Sequence, residues 1–204
     1  MIAALLAPPL CWSCGAAAPP GRALCDGCRR GLVFLPPEPV ALAGVRVWAP
    51  LAYEGPARDL VRALKFHGAM SLAREMSALV VASAPEGLLR GSLVPVPLHP
   101  VRMRRRGFNQ AAVLARALAR ATGVTTSECL RRRGAGPPQV GRSRGARLGG
   151  PAGTIEPRAR VPPTALIVDD VATTGATLAA CAAALREAGT REVAAIAFAR
   201  TPGR

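Results

Sequence analysis

Two short apolar runs near the carboxyl end of the chain enclose a segment with the character of a helix. Ala165 to Val168 and Glu192 to Ala199 are typical of buried strands, because each is short, apolar and bounded by polar residues or proline. Between them, Thr177 to Ala188 predicts a helix that ends at Gly189. This order forms a βαβ unit with parallel strands. Ligands of such sheets bind beyond the carboxyl ends of the strands.

The preceding part of the chain alternates between strand-like and helix-like patterns. The predicted elements are a strand from Val45 to Tyr53, helices from Ala57 to Lys65, Ser71 to Ala82 and Asn109 to Ala121, and a strand from Ser92 to Leu98. Pro95 and Pro97 each lack an amide donor, so the second strand must stop early or lie irregularly. The arginine-dense residues that follow it are expected to form a loop.

The alternation of strands and helices predicts an α/β fold, in which a parallel sheet is flanked by helices. Half of the residues are apolar but only 3% are aromatic, and this composition favours helices on a sheet over an all-β barrel. The 204 residues are enough for one substantial core and a small appendage. We therefore expect one main domain.

The net charge of +15 is carried almost entirely by arginine, since Lys65 is the only lysine. Guanidinium groups bind phosphate oxygens in pairs, so such a surface suits a sugar phosphate or a nucleic-acid backbone. A compositional bias of the genome explains the scattered arginines equally well.

No apolar run reaches the roughly 18 residues that a membrane span needs. Residues Met1 to Leu10 lack the basic start and the cleavage site of a signal peptide. We therefore expect a cytoplasmic protein, in which the six cysteines do not form structural disulfides.

Four of the cysteines form two CxxC pairs near the amino end of the chain, with ten residues between the pairs. They are Cys11, Cys14, Cys25 and Cys28. Two such pairs can close a tetrahedral thiolate site for a structural Zn²⁺, and Gly15 and Gly27 would ease the turns around the metal. The alternatives are a redox-active CxxC and a chance pairing.

A proline-rich stretch, Pro36-Pro37-Glu38-Pro39, follows the cysteine pairs. Proline clusters of this kind mark loops and boundaries between compact units. We place the boundary here, with a four-cysteine zinc finger in residues 1–36 and the main domain in residues 37–204.

The segment from Asp169 to Thr177 combines an acidic pair with a turn rich in threonine and glycine that leads into a helix. Its backbone amides and the positive end of the helix would form a cradle for a phosphate, and its glycine lets the backbone approach closely. The two acids would accept the hydroxyl protons of a sugar. The alternative is a pair of N-capping acids. The predicted substrate-binding residues are Asp169, Asp170, Ala172, Thr173, Thr174, Gly175, Ala176 and Thr177.

This segment resembles the phosphoribosyl pyrophosphate motif of the type I phosphoribosyltransferases, which has four apolar residues, two acids and a threonine- and glycine-rich turn. The resemblance implies that Asp169 and Asp170 bind the ribose 2- and 3-hydroxyls. It also implies that Thr173 to Thr177 bind the 5-phosphate and that Mg²⁺ accompanies phosphoribosyl pyrophosphate if the protein is an enzyme.

Further motifs narrow the resemblance to the ComF family, which is linked to DNA uptake. They are the double CxxC, Tyr53-Glu-Gly, Leu64-Lys-Phe-His-Gly68, Val94-Pro-Val-Pro97 and Arg105-Arg-Gly-Phe-Asn-Gln110. The resemblance covers nearly the whole chain. It implies a type I phosphoribosyltransferase-like parallel sheet with a small N-terminal zinc finger of four cysteines, a role in natural transformation, a competence helicase as a partner, and no settled reaction.

Two basic segments are candidates for the chemistry. In phosphoribosyltransferases the loop after the first core strand holds pyrophosphate, and by that resemblance Arg104, Arg105 and Arg106 are catalytic candidates, together with Arg102. A solvated basic loop and a contact to a DNA backbone are the alternatives.

Arg142 and Arg144 are further catalytic candidates. They belong to the long aperiodic segment Arg131 to Pro163, where the superfamily has its mobile catalytic loop. Gly149-Gly150 departs from the family pattern of this loop.

Two functions therefore remain open. One is phosphoribosyl transfer or hydrolysis, for which no general base can be named. The other is a non-catalytic zinc-finger adaptor that binds single-stranded DNA or a competence partner protein. The charge favours the second function, but the seven aromatic residues are not regularly spaced among the arginines as base-stacking channels require.

Overall fold

The computed structural model describes residues 9–66, 72–133 and 155–202. The helices are α1 (Asp26–Arg30), α2 (Gly55–Phe66), α3 (Leu72–Ser83), α4 (Pro100–Arg106), α5 (Gln110–Thr122) and α6 (Ala176–Glu187). The strands are β1 (Val40–Leu42), β2 (Val45–Trp48), β3 (Leu51–Ala52), β4 (Ser92–Pro95), β5 (Leu130–Arg132), β6 (Ile155–Pro157), β7 (Thr164–Ala172) and β8 (Glu192–Arg200).

The main sheet has the strand order β1-β2-β8-β7-β4, and β3 continues alongside β8 beyond the end of β2. All of its pairs are parallel except β1 with β2. The β7-α6-β8 unit pairs in parallel from Thr164 opposite Glu192 to Ala172 opposite Arg200, which confirms the predicted βαβ unit. The predicted α/β class, a mostly parallel sheet flanked by helices, is therefore correct.

Helices cover both faces of this sheet. Leu166 and Val168 of β7 pack in one cluster with side chains of α2, α3 and α5, whereas Ile167 packs on the other face with Cys181 and Leu185 of α6. Successive strand residues point to opposite faces, so β7 supplies apolar side chains to both layers. This explains why the strand is a continuous apolar run rather than an alternating one.

The amino-terminal segment packs against the first of these layers. Leu24 and Leu32 belong to the same buried cluster as Leu60 and Leu64 of α2. The hydroxyl of Ser13 donates a hydrogen bond to Oδ2 of Asp59 at 2.7 Å. Residues on both sides of the proline-rich stretch thus share one core, and the boundary at residues 36 and 37 stays a prediction.

The arginine-dense segment after β4 forms helix α4, so the prediction of a loop is wrong. His99 is its N-cap and accepts the N–H of Val101 at 3.3 Å, and Pro100 occupies the first helical turn. Gly107 ends the helix in the left-handed conformation, with φ of 77°. Proline at the start and glycine just past the end are the usual boundaries of a helix, and they override the polar composition between them.

Two strands also differ from their predicted bounds. The strand predicted from Val45 to Tyr53 is divided into β2 and β3 around Ala49 and Pro50, since proline has no amide for the ladder. Strand β7 runs four residues beyond Val168, so both acids of the motif lie within the strand rather than in the turn. Strand β4 ends at Pro95, as its prolines predict.

The segment Arg131 to Pro163, predicted to be irregular, begins in β5 and includes β6, and these two strands pair antiparallel. Residues 134–154, with Arg142, Arg144 and Gly149-Gly150, lie outside the described residues. None of the helices that the structure describes is long and apolar enough to cross a membrane.

Candidate functional site

Asp170 is held by partners from two helices. It is only 3% exposed, and its Oδ2 forms an ion pair with Nζ of Lys65 from α2. Its Oδ1 accepts a hydrogen bond of 3.3 Å from Nε2 of Gln110, the first residue of α5. A buried carboxylate requires such partners, because an unpaired buried charge costs several kcal/mol.

Asp169 points to the opposite face of the sheet, where α6 packs. Its Oδ1 accepts the backbone N–H of Asp170 at 2.8 Å. Burial raises the pKa of Asp169 well above its usual value, and the neighbouring Asp170 carboxylate raises it further, whereas Lys65 lowers it. The folded protein therefore disfavours a second negative charge here, and a hydroxyl donor or a cation from a ligand would reduce that penalty.

The turn after β7 presents the amino end of α6. Gly175 is the N-cap of α6. Because glycine has no side chain, this position makes no side-chain hydrogen bond to the amides of the first helical turn. Thr174 Oγ1 accepts the N–H of Ala176 at a long 3.4 Å. The other amide donors of this turn lie at the positive end of the helix dipole, and the phosphate site predicted there stays a prediction.

Gly175 has a requirement of its own that the sequence did not reveal. Its φ is 78°, in the left-handed region that favours glycine. A Cβ at this position would lie 2.6 Å from Cβ of Leu42 in β1. The close packing of β1 on the turn is thus sufficient to explain this glycine, and an approach to phosphate on the other side stays a prediction.

A cavity of about 270 Å³ opens between the acids and the helix end. It collects side chains from segments that are distant in the sequence. They are Tyr53, Lys65, Val96, Pro97, Leu98, Arg102, Arg106, Gln110, Arg132, Asp169, Asp170, Val171, Thr173 and Thr177. Several of the motifs that carry the ComF resemblance thus contribute to one cavity. Three predicted residues do not line this cavity: Ala172 ends β7, Thr174 lies in the turn, and Ala176 begins α6.

Helix α4 separates arginines that look alike in the sequence. Arg106 and Arg102 line the cavity, and Arg105 lines an adjoining one. Arg104 is exposed and lines neither. Partial burial lowers the pKa of Arg106, Asp170 raises it, and the positive charges of Arg102 and Arg105 lower it again.

Arg106 also joins the two cavities. Its Nη1 donates to Oε1 of Gln110 at 3.1 Å, and Gln110 in turn donates to Asp170. Its Cζ lies 5.1 Å from the centre of the Phe66 ring, which is cation–π contact. One continuous network therefore runs from the Phe66 ring to the buried ion pair of Asp170 with Lys65.

Lys65 and Gln110 were not assigned a role from the sequence, and Arg132 was predicted only as part of the loop segment Arg131 to Pro163. Lys65 is the ion-pair partner of Asp170. It is the only lysine in a chain with many arginines, and this contrast in the sequence could have indicated a special role. Gln110 carried no such signal. Nε of Arg132 is buried and has no hydrogen-bond partner among the described residues, and only the fold places it at this cavity.

The four cysteines of the CxxC pairs come together as predicted. Their Sγ atoms all lie within 4.8 Å of one another, and those of Cys14 and Cys25 are 3.7 Å apart. Zn–S bonds of about 2.3 Å in a tetrahedron place sulfur atoms roughly 3.8 Å apart, so the cluster fits Zn²⁺. Gly15, with φ of 75°, makes the first turn, but Gly27 lies within α1 rather than in a turn.

Two of these sulfur atoms, those of Cys11 and Cys25, accept hydrogen bonds from backbone amides. Sγ of Cys25 caps α1 by accepting the N–H of Cys28 at 3.4 Å. Burial by itself would raise the pKa of Cys11, but hydrogen bonds from the backbone of Cys14, Cys25 and Ser13 lower it to about 6. A thiolate is the form that binds a metal, and the surroundings of Cys11 favour that form.

The sequence matches no protein-family model and no curated protein. Among solved structures, the chain is similar to a glutamine phosphoribosylpyrophosphate amidotransferase from B. subtilis, with 22% identity, a TM-score of 0.41 and coverage of 61% of this chain and 26% of that one.

It is also similar to a structure described as the allosteric regulatory enzyme of purine biosynthesis, with 22% identity, a TM-score of 0.39 and coverage of 61% and 25%. A third similarity, to the UMP synthase of Leishmania donovani, has 18% identity, a TM-score of 0.33 and coverage of 68% and 23%. The chain spans about a quarter of the length of each of these solved chains.

Proposed function

We propose that the chain binds phosphoribosyl pyrophosphate, or a related sugar phosphate, in the 270 Å³ cavity. The observation that carries the proposal is that an acidic pair and the open amino end of a helix line the same small cavity. Acids repel phosphate, so this pairing suits a ligand with hydroxyls at one end and phosphate at the other. The resemblance of Asp169 to Thr177 to the phosphoribosyl pyrophosphate motif agrees with it.

The phosphate end of the ligand is assigned to the turn before α6. Thr173 and Thr177 line the cavity and offer hydroxyl donors. The backbone amides of residues 174, 175 and 177 add donors aligned with the helix dipole. The absence of a side-chain cap at Gly175 leaves that end of the helix open to the ligand.

The hydroxyl end is assigned to Asp169 and Asp170. Asp170 is already paired with Lys65 and Gln110, so a ribose hydroxyl would join an existing network rather than enter an empty acidic pocket. A hydroxyl that donates to Asp169 would offset the cost of ionising that buried carboxyl. These carboxylates are also oxygen ligands of the kind that Mg²⁺ prefers, and Mg²⁺ would neutralise part of the pyrophosphate charge.

The pyrophosphate end would meet the cations on the other wall of the cavity. Arg102, Arg106 and Arg132 all line it. If the protein is a phosphoribosyltransferase, these guanidinium groups would stabilise the negative charge that develops on the departing pyrophosphate. Arg142 and Arg144 stay candidates for the same task from the segment outside the described residues.

Calorimetric titration with phosphoribosyl pyrophosphate and Mg²⁺ tests the binding, and an assay of pyrophosphate release tests the reaction. The binding isotherm is expected to be lost or strongly weakened in the variant with both Asp169→Asn and Asp170→Asn. Glu187→Gln, which removes an exposed acid at the far end of α6, is the matched control. Equal affinity in the folded double variant and the wild type would rule out the ribose assignment.

A second candidate function is DNA handling during uptake, with single-stranded DNA or a competence helicase as the partner. The observation that favours it is the row of exposed arginines on α4, namely Arg102, Arg104 and Arg105, which make no ion pair with any described residue. Such a row releases counterions when it meets a polyanion, so binding should weaken steeply with salt.

A salt titration of single-stranded DNA binding tests this function. The slope of log affinity against log salt is expected to be about −0.7 per phosphate neutralised, and glutamine at these three positions should flatten it. If no DNA binds at low salt, a competence role would have to act through a protein partner. A deletion strain of a competent species that still transforms normally would contradict the role itself.

A further inference from the structure

A second cavity, of about 580 Å³, adjoins the sugar-phosphate cavity. The two share four lining residues, and the second adds side chains from α2, α4 and the start of the next segment. Its lining consists of Tyr53, Arg62, Lys65, Phe66, Arg102, Arg105, Arg106 and Phe108. Five of these eight side chains are cations, three are aromatic and none is an acid.

Four of the five cations of this lining lack an ion-pair partner within the described residues, and only Lys65 has one, in Asp170. Arg62, Arg102 and Arg105 take part in none of the ion pairs there, and Arg106 is bonded to a neutral amide. The positive charges of Arg102 and Arg105 oppose that of Arg106. Like charges collected around one cavity repel one another, and an anionic ligand removes that repulsion.

The aromatic side chains stand where a planar ligand can contact them. Phe66 is 63% exposed although it ends an otherwise well packed helix. The guanidinium of Arg106 already lies against its ring, at 5.1 Å from the centre. Aromatic faces and guanidinium planes both stack on flat rings, so Phe66 and Arg106 together favour a planar ligand.

We propose that the second cavity binds a planar aromatic anion, a small molecule with a ring and a carboxylate or similar acidic group, beside the sugar phosphate. The proposal rests on the proposed function, because the shared residues Tyr53, Lys65, Arg102 and Arg106 would contact both ligands. The volume lies within the range of small-ligand pockets, and the cations of its lining come from two helices, α2 and α4.

Three probes of similar size test separately whether the ligand needs a planar ring and whether it needs a negative charge. Benzoate has a ring and a charge, benzamide has the ring without the charge, and cyclohexanecarboxylate has the charge without the planar ring. Chemical-shift titrations of the isotope-labelled protein, with and without saturating ribose 5-phosphate, measure their affinities. Benzoate is expected to bind roughly tenfold more tightly than either of the others, with shifts at Phe66 and Arg105.

Substitutions in the lining should remove the two preferences separately. Phe66→Leu is expected to abolish the preference for benzoate over cyclohexanecarboxylate, and Arg105→Gln the preference for benzoate over benzamide. Arg120→Gln is the matched control, because it removes the same charge from an exposed arginine of α5 that lies outside both cavities. It is expected to leave the benzoate affinity within about twofold.

The outcomes distinguish this inference from the proposed function. Binding of ribose 5-phosphate without any preference among the three probes overturns the inference alone. Benzoate binding without ribose 5-phosphate binding overturns the proposed function and the pairing of the two sites. Tight binding of an oligothymidylate that covers Phe66 and Arg105, with no benzoate preference, overturns the small-molecule assignment in favour of single-stranded DNA.

Discussion

The cysteine cluster and the acidic cavity are assembled in opposite ways. The four cysteines lie within residues 11–28, and a knuckle turn and one short helix are enough to bring them together. The cavity takes side chains from the end of β3, from α2, α4, α5, β5 and β7, so it exists only when the whole sheet is formed. A local site of this kind can be found from spacing, whereas a distributed one depends on the packing of distant segments.

The difference predicts how each region fails. Loss of the cysteine cluster should damage stability first, because Leu24 and Leu32 of that segment pack in the main core. Loss of one cavity side chain should damage binding more than folding, except where it leaves a buried charge alone. The following predictions test this division, beginning with the largest expected effect.

Removal of the Zn²⁺ that the four cysteines are predicted to bind is expected to have the largest effect. Chelation, or Cys11→Ser, should lower the free energy of unfolding by at least about 3 kcal/mol, because a structural Zn²⁺ contributes its binding energy to folding. Metal analysis and thermal unfolding check this, and added Zn²⁺ should restore the wild type but not the variant. Protein purified without zinc that holds none, with disulfides among these four cysteines, would contradict the prediction.

Lys65→Met should destabilise the protein by about 3 kcal/mol, since it leaves Asp170 as a buried carboxylate without its ion-pair partner. Chemical denaturation measures the loss. The variant with both Lys65→Met and Asp170→Asn is the informative partner, because it removes the stranded charge and should recover most of the stability. If the double variant is as unstable as the single one, the ion pair is not the cause.

Asp170→Asn alone should weaken phosphoribosyl pyrophosphate binding by about 1.5 to 3 kcal/mol for each charge-assisted hydrogen bond that is lost. Calorimetry of the folded variant provides the measurement. Circular dichroism should show that the variant keeps its fold. A loss of affinity can then be assigned to the binding site and not to unfolding. A variant that binds normally would place the ribose hydroxyls elsewhere.

Asp169→Asn is expected to increase stability, which is the reverse of the effect at the cysteines. Burial and the Asp170 charge raise the folded-state pKa of Asp169, so ionisation of this carboxyl opposes folding once the pH exceeds the unfolded-state pKa of about 3.9. The gain in the free energy of unfolding should therefore grow as the pH rises from about 4 towards 7. Below a pH of about 4 the gain should vanish. Denaturation at several pH values checks this, and a gain that is independent of pH would point to another cause.

The local features of this molecule follow from the sequence. Four cysteines in two close pairs, a short apolar run before two acids, and glycines after helices all act over a few residues, so their spacing is sufficient. The double CxxC, the β7-α6-β8 unit and the open end of α6 were predicted in this way. Even α4 was marked by Pro100 and Gly107, although its polar composition favoured a loop.

The tertiary structure alone decided how the polar side chains are paired. It joined Lys65 to Asp170, brought Arg132 to the cavity, and separated Arg104 from Arg105 and Arg106. Residues that are adjacent on a helix point in different directions, and a contact across the core depends on how whole layers pack. Residue type and order therefore predict the chemistry of the site, but packing determines which side chains line it.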